Sequence, residues 1–185
     1  MKDRGMAVPK ERFLTSIQDA RRVLESALRY FIGLEKKTAV WLPEYDEIAE
    51  WLSNNNGRGL FMFGNCGRGK TILGKYVIPA ILLKYQRVVV STFDMNEVNK
   101  DIDKVLGKRL ISIDDLGTES LSVKFGEKRF AFPEIIDSVE KNGKLLIVST
   151  NLTGEEIRER YDDRVIDRIH STMTQVNFNG KSLRK

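Results

Sequence analysis

One cysteine, one histidine and four prolines are the whole stock of three telling residue types in this 185-residue chain. The single cysteine, Cys66, excludes an internal disulfide framework. With His170 as the lone histidine, no Cys/His cluster has zinc-binding spacing, and no thiol–imidazole pattern of a cysteine hydrolase exists. His170 reads as an ordinary surface or core residue. No apolar run approaches the ~18 residues of a membrane-spanning helix. The first residues, Met1-Lys2-Asp3-Arg4-Gly5-Met6, lack the apolar centre of a signal peptide. The expected setting is the cytoplasm, away from any membrane. Internal repeats and low-complexity stretches are also missing.

The remainder is ordinary for a globular protein: 41% hydrophobic and 31% charged residues, enough for one domain with a proper core. The net charge of +5 is uneven. Residues 1–40 carry nine Lys/Arg against five Asp/Glu, residues 181–185 carry three cations, and the middle is slightly acidic. Basic ends fit a nucleic-acid footprint, and they equally fit solvated tails.

Residues 64–71 read Gly64-Asn65-Cys66-Gly67-Arg68-Gly69-Lys70-Thr71, directly after the apolar run Leu60-Phe61-Met62-Phe63. This is the G-x-x-x-x-G-K-[ST] phosphate-binding pattern in its required place between a strand and a helix. Its glycines let backbone N–H groups turn toward an anion. Lys70 can reach the outer phosphates, and the Thr71 hydroxyl can bind Mg²⁺. The helix opening at Lys70 points its positive end the same way. Cys66, inside the loop, reads as a space-filler.

Around this loop the pattern alternates. Strands are expected over 60–63, 87–93, 109–113, 145–149 and 173–178, their apolar runs typical of buried parallel strands. Helices are expected from Lys70, with a kink or split at Pro79, then in part over 94–107, over 133–140, after Thr153 with Glu156 completing a capping box, and over 163–170. Residues 118–128 read as a loop. Before the loop-bearing core, Phe13, Ile17, Ala20, Leu24, Ala27, Leu28 and Phe31 predict one amphipathic helix over 12–32, with Arg12, Arg21, Arg22 and Arg29 at other positions. A second helix opens after Pro43 and stops at Asn54-Asn55-Asn56-Gly57.

Three further groups carry chemistry. Ile111-Ser112-Ile113-Asp114-Asp115 is an apolar strand ending in two carboxylates, and the carboxyl ends of a parallel sheet face its ligand. Asp114 there can hold Mg²⁺, and Asp115 can orient or deprotonate a water. Ser149-Thr150-Asn151 ends the next strand with small polar groups suited to a lytic water or a γ-phosphate. Arg164 and Arg168 lie four apart on one helical face. One could serve as an arginine finger toward a neighbouring subunit, and intrahelical pairs with Asp163 and Asp167 are the plain alternative.

The set resembles the AAA+ ATPases, and within them the bacterial helicase loaders of the DnaC/DnaI type and the IstB transposition helpers. The resemblance spans roughly residues 57–185. It rests on the phosphate loop, on Ile113-Asp114-Asp115-Leu116-Gly117-Thr118-Glu119, and on Ser149-Thr150-Asn151-Leu152. It rests further on Asp163-Arg164-Val165-Ile166-Asp167-Arg168-Ile169 and on Gly180-Lys181-Ser182-Leu183-Arg184. It implies an α/β P-loop NTPase fold: an αβα sandwich on a five-stranded parallel sheet, an AAA+ core over 58–185 without a C-terminal lid, preceded by an N-terminal helical extension over 1–57. It implies ATP and Mg²⁺, with Gly64, Asn65, Cys66, Gly67, Arg68, Gly69, Lys70 and Thr71 around the nucleotide and Thr71 and Asp114 on the metal. Asp115 takes the place of the catalytic carboxylate, Asn151 or else Thr150 that of sensor 1, and Arg168 that of the arginine finger, with Arg164 as neighbour or substitute. It also implies a homo-oligomer with ATP between subunits, single-stranded DNA as ligand, and a replicative helicase or transposase as partner.

The chain departs from that pattern in places. Arg68 stands where such loops carry a small residue. Asp115 is shorter than the usual glutamate, which fits slow, switch-like hydrolysis. Residues 94–107 are shorter than a loader's DNA-contacting insertion, the first 57 residues match no helicase-binding domain, and no lid with a sensor-2 arginine is expected after Phe178. Two other classes remain open: a nucleotide-gated binding module with little hydrolysis, and a small P-loop nucleotide kinase. The kinase would use residues 118–130, with Lys124, Lys128 and Arg129, as its lid.

Overall fold

A computed structural model of the chain describes residues 10–118, 122–124, 127–129 and 131–183. Five strands form an all-parallel sheet: β1 (Gly59–Gly64), β2 (Ser91–Asp94), β3 (Leu110–Leu116), β6 (Leu145–Thr150) and β7 (Met173–Phe178), in the order β2-β3-β6-β1-β7. This is the expected αβα sandwich. β4 (Ser122–Lys124) and β5 (Glu127–Arg129) pair antiparallel as a small separate ribbon, where the sequence reads as a loop. The lid candidate at 118–130 and the motif residues Glu119 and Arg184 fall wholly or partly outside the described residues, as do the side chains of Lys124, Lys128 and Arg129.

The helix expected over 12–32 begins only at Ala20, as α1 (Ala20–Leu34). The preceding residues are held by long-range hydrogen bonds instead. The Thr15 N–H donates to Asn55 Oδ1 at 2.9 Å, its hydroxyl donates to Trp51 O at 2.7 Å and accepts from the Asn55 N–H at 2.9 Å, and the Ile17 N–H donates to Leu52 O at 3.1 Å. Those acceptors lie on and just after α2 (Glu44–Ser53), which starts after Pro43 as expected. Arg21 of α1 pairs with Asp46 of α2 at 2.7 Å.

β1 joins β2 through α3 (Lys70–Ile72), a π turn (Leu73–Val77) and α4 (Ile78–Gln86). Pro79 does not split this helix. The irregularity is the π turn just before it, where the Ile78 N–H reaches back five residues to Leu73 O. Arg87 ends α4 in the left-handed region (φ 59°), so β2 starts at Ser91 rather than at 87. α5 (Met95–Lys100) and α6 (Ile102–Leu106) lead to β3. α7 (Ala131–Asn142) leads to β6, and α8 (Gly154–Arg160) and α9 (Asp163–Thr172) lead to β7. The Thr153/Glu156 capping box is formed.

The alternation along β1 divides the interior. Leu60 and Met62 join Leu24 and Leu28 of α1, Ile48 and Leu52 of α2, and Leu73, Val77 and Ile78 in one cluster. Phe61 joins Phe132, Ile135 and Ile136 of α7 and Val165 and Ile169 of α9 in the other. The N-terminal helices therefore share a core with the sheet. Among the described residues no helix is long and apolar enough to cross a membrane.

Candidate nucleotide site

The phosphate loop leaves β1 at Gly64 and enters α3 at Lys70, at the carboxyl edge of the sheet. Gly69 has φ 93°, and a Cβ there would lie 2.5 Å from Tyr45 Oη, so only glycine fits the approach of α2. Tyr45 donates its hydroxyl to Arg68 O at 2.9 Å. Burial first, then the Glu44 charge, pushes that phenol up to about 12, so it stays a donor at neutral pH. Lys70 is buried, and its ammonium donates to Gly64 O at 2.8 Å and Asn65 O at 2.7 Å. Cys66 is exposed, with no role in the packing beneath. The Asn65 N–H donates to Phe178 O at 2.8 Å, and the Asn65 side chain to Gly180 O at 3.0 Å. The Arg68 guanidinium lies between α2 and the closing segment, on Glu44 and on Lys181 O.

Thr71, one residue into the helix, donates to Asp114 Oδ1 at 3.1 Å. Ser149 Oγ donates to the same oxygen, and Lys75 Nζ stands 3.8 Å from Oδ2. Lys75 also pairs with Asp94, which caps α5 and lies opposite Asp114 in the β2–β3 register. That hydrogen bond with Asp94 holds the Lys75 ammonium above its ordinary pKa despite burial. A hydroxyl and a carboxylate are hard oxygen donors of the kind Mg²⁺ takes, usually with substrate phosphates completing its shell. Among the described residues no group of three or more His, Cys, Asp or Glu could hold a metal by itself. The pair therefore fits an ion that arrives with phosphate.

Asp115 sits at a break in the β3–β6 register, in the left-handed region at φ 56°. Its N–H donates to Ser149 Oγ at 3.3 Å, and Asn151 Nδ2 approaches Asp115 Oδ1 at 3.4 Å. Thr150 is turned inward, its hydroxyl on Leu116 O at 2.7 Å, so of the two sensor candidates only Asn151 faces the acidic pair. Burial first, then the charges of Asp114 and Asp94, raises the Asp115 pKa above the usual carboxylate value. The folded chain thus holds this proton more tightly than the unfolded chain. The stability that the protonated form contributes is lost as pH rises through the folded pKa, and ionised Asp115 is a net cost at neutral pH. Asp115→Asn tolerates the same backbone and removes that cost. Its melting temperature should exceed that of the wild type near neutral pH, and the gap should close near pH 3, where both side chains are neutral. A lower melting temperature at neutral pH would contradict this.

Arg164 and Arg168 are not brought to the phosphate loop of their own chain. They pair neither with Asp163 nor with Asp167 but reach across to α7. Arg164 meets Asp137 at 3.0 Å, and Arg168 meets Asp137 and Glu140, each at 2.9 Å.

Sequence reasoning missed Asp94, Lys75 and Glu44. Lys75 lies four residues after Thr71 on the same helical face, which is a usable signal. Asp94 becomes visible only once β2 and β3 are in register.

No family model matches the sequence. Among solved structures, the DnaC helicase loader aligns at TM-score 0.56 and 19% identity, over 89% of this chain and 93% of that one. DnaI aligns at TM-score 0.57 and 14% identity, over 94% of this chain and 99% of that one. The likeness is one of fold: an α/β P-loop fold on a five-stranded parallel sheet. AMPPCP-bound DnaA from Aquifex aeolicus aligns at TM-score 0.56 and 16% identity, over 78% of this chain and 50% of that one. A curated relative, the ATP-dependent Clp protease ATP-binding subunit ClpX of Borrelia duttonii (strain Ly), is 23% identical over 168 residues. The chain spans 35% of the length of that relative.

Proposed function

We propose that this chain binds and hydrolyses ATP as an AAA+ protein assembled on DNA, where it loads a replicative helicase or assists a transposase. The observation that carries the reading is the Thr71–Asp114 contact, which joins the phosphate loop to the acidic strand end at one edge of the sheet. Loop amides and Lys70 hold the phosphates, and Thr71 and Asp114 hold Mg²⁺, which supplies charge neutralisation. Asp115, with its raised proton affinity, takes the proton of the attacking water, and Asn151 orients it. Arg168 sits away from its own loop, so its service as a finger requires a second subunit. Single-stranded DNA is the expected ligand of that assembly, given the basic ends of the chain.

The test is ATP turnover against protein concentration, with and without single-stranded DNA, beside Arg168→Ala. Turnover per subunit should rise with concentration and with DNA. Arg168→Ala should keep ATP binding and lose roughly 10³-fold or more in turnover, the range of a finger supplied in trans. Flat, DNA-independent turnover that survives the substitution would overturn the assembly and move the search to small phosphate acceptors.

A further inference from the structure

Arg68 breaks the pattern of its own motif, and the structure shows what the side chain does. It is 7% exposed, and Glu44, its partner at the start of α2, is 5% exposed. Arg68 Nε donates to Glu44 Oε1 at 2.5 Å and Nη1 to Lys181 O at 3.1 Å. Two edges of one planar guanidinium thus bind two different segments, a geometry that lysine cannot reproduce. The same stretch of loop is held at further points. The Tyr45 hydroxyl binds Arg68 O, the Leu183 N–H donates to Gly67 O at 2.9 Å, and the Asn65 side chain donates to Gly180 O. Gly180 has φ 125°, and a Cβ on it would meet Arg68 Nη1 at 2.7 Å, so the closing segment is shaped to the guanidinium.

A buried ion pair is costly to assemble, and it is a weak source of stability unless its other hydrogen bonds are met. Here the guanidinium also binds Lys181 O, and both bonds converge on a loop whose function requires its amides in one arrangement. With Glu44 and Lys181 O as partners, the Arg68 side chain is committed to the scaffold rather than to phosphate.

We propose that Arg68 is a positioning residue: its buried pair with Glu44 and its bond to Lys181 clamp the phosphate loop between α2 and residues 179–183. The loop's shape, and with it nucleotide affinity, is thereby tied to the N-terminal helices and to the closing segment. The nucleotide part rests on the function proposed above.

The experiment combines Mg·ATP binding with amide hydrogen exchange on the full chain. Removing one partner strands a buried charge and risks misfolding, so the main variant replaces both, Glu44→Leu with Arg68→Met. Exchange over 64–69 and 179–183 should quicken by about tenfold or more while β3 and β6 stay protected, and Kd for Mg·ATP should rise by about tenfold. Gly180→Ala, which alters no charge, should move the same amides in the same direction by less. A general loss of protection would mark simple destabilisation and overturn the proposal, as would unchanged local exchange in both variants. If the wild-type chain binds no nucleotide, the ATP reading falls, and the exchange over 64–69 alone decides the clamp.

Discussion

A chain that begins at residue 58 will not fold cooperatively. Residues 10–57 are not an appendage to the sheet but one wall of its interior. Leu24, Leu28, Ile48 and Leu52 are each at most 2% exposed, against Leu60, Met62, Leu73 and Val77. Full burial of a Leu or Ile is worth ~1.5–3 kcal/mol, so these four alone contribute roughly 6–12 kcal/mol. The whole net stability of a domain is ~5–15 kcal/mol. The truncation also strands Arg68, whose buried partner Glu44 is removed, and it strips Tyr45 from the phosphate loop. The measurement is thermal unfolding followed by circular dichroism: the full chain should melt in one sharp transition, and residues 58–185 should show none. A milder version, Leu24→Ala, should cost ~2–5 kcal/mol. A sharp transition near the full-length midpoint for 58–185 would make the N-terminal helices an independent extension, the division that the sequence at residue 57 invites.

The parts that were legible and the parts that were not differ in the range of the interactions behind them. Buried parallel strands write themselves as continuous apolar runs, so Leu145–Thr150 and Met173–Phe178 stand out, and the phosphate loop is fixed by residues adjacent in sequence. The false start of α1 at residue 12 has the opposite origin. Phe13 and Ile17 continue the helical spacing, yet Thr15 and Ile17 spend their hydrogen bonds on Trp51, Leu52 and Asn55, some forty residues on. No local pattern encodes that. Arg164 and Arg168 show the same limit, since their acids lie on α7 rather than one turn away. Arg68 looks like a misfit in its motif until Glu44 is seen beside it. The acidic pair stands near the end of β3, where its sequence shows it, but its surroundings are not local: Asp94 and Lys75 enter through register and through a π turn.

Lys70→Ala should abolish nucleotide binding. The Lys70 ammonium lies within the curve of the loop, held by Gly64 O and Asn65 O, next to the Phe178 ring at 5.9 Å. It is the lysine of the phosphate-loop pattern, whereas Arg68 lies on Glu44 and Lys75 on Asp94 and Asp114. A bound triphosphate brings several negative charges into a low-dielectric cradle, and amides alone do not balance them. The expected loss is about 10²-fold or more in affinity for Mg·ATP, with turnover below detection, the scale of one charge-assisted contact in a desolvated site. Thermal shift reads it directly. At ligand a hundredfold above Kd the wild type gains ~2.7 kcal/mol, or about 5–10 °C for a domain of this size. The variant should show no nucleotide-dependent shift. Its own melting temperature should fall by only a few degrees, since the two carbonyls that lose their donor lie at a loop open to water. The two readouts separate the causes. A large fall in the unliganded melting temperature with the nucleotide shift retained would make Lys70 a structural staple of the loop and leave nucleotide binding to the rest of the cradle.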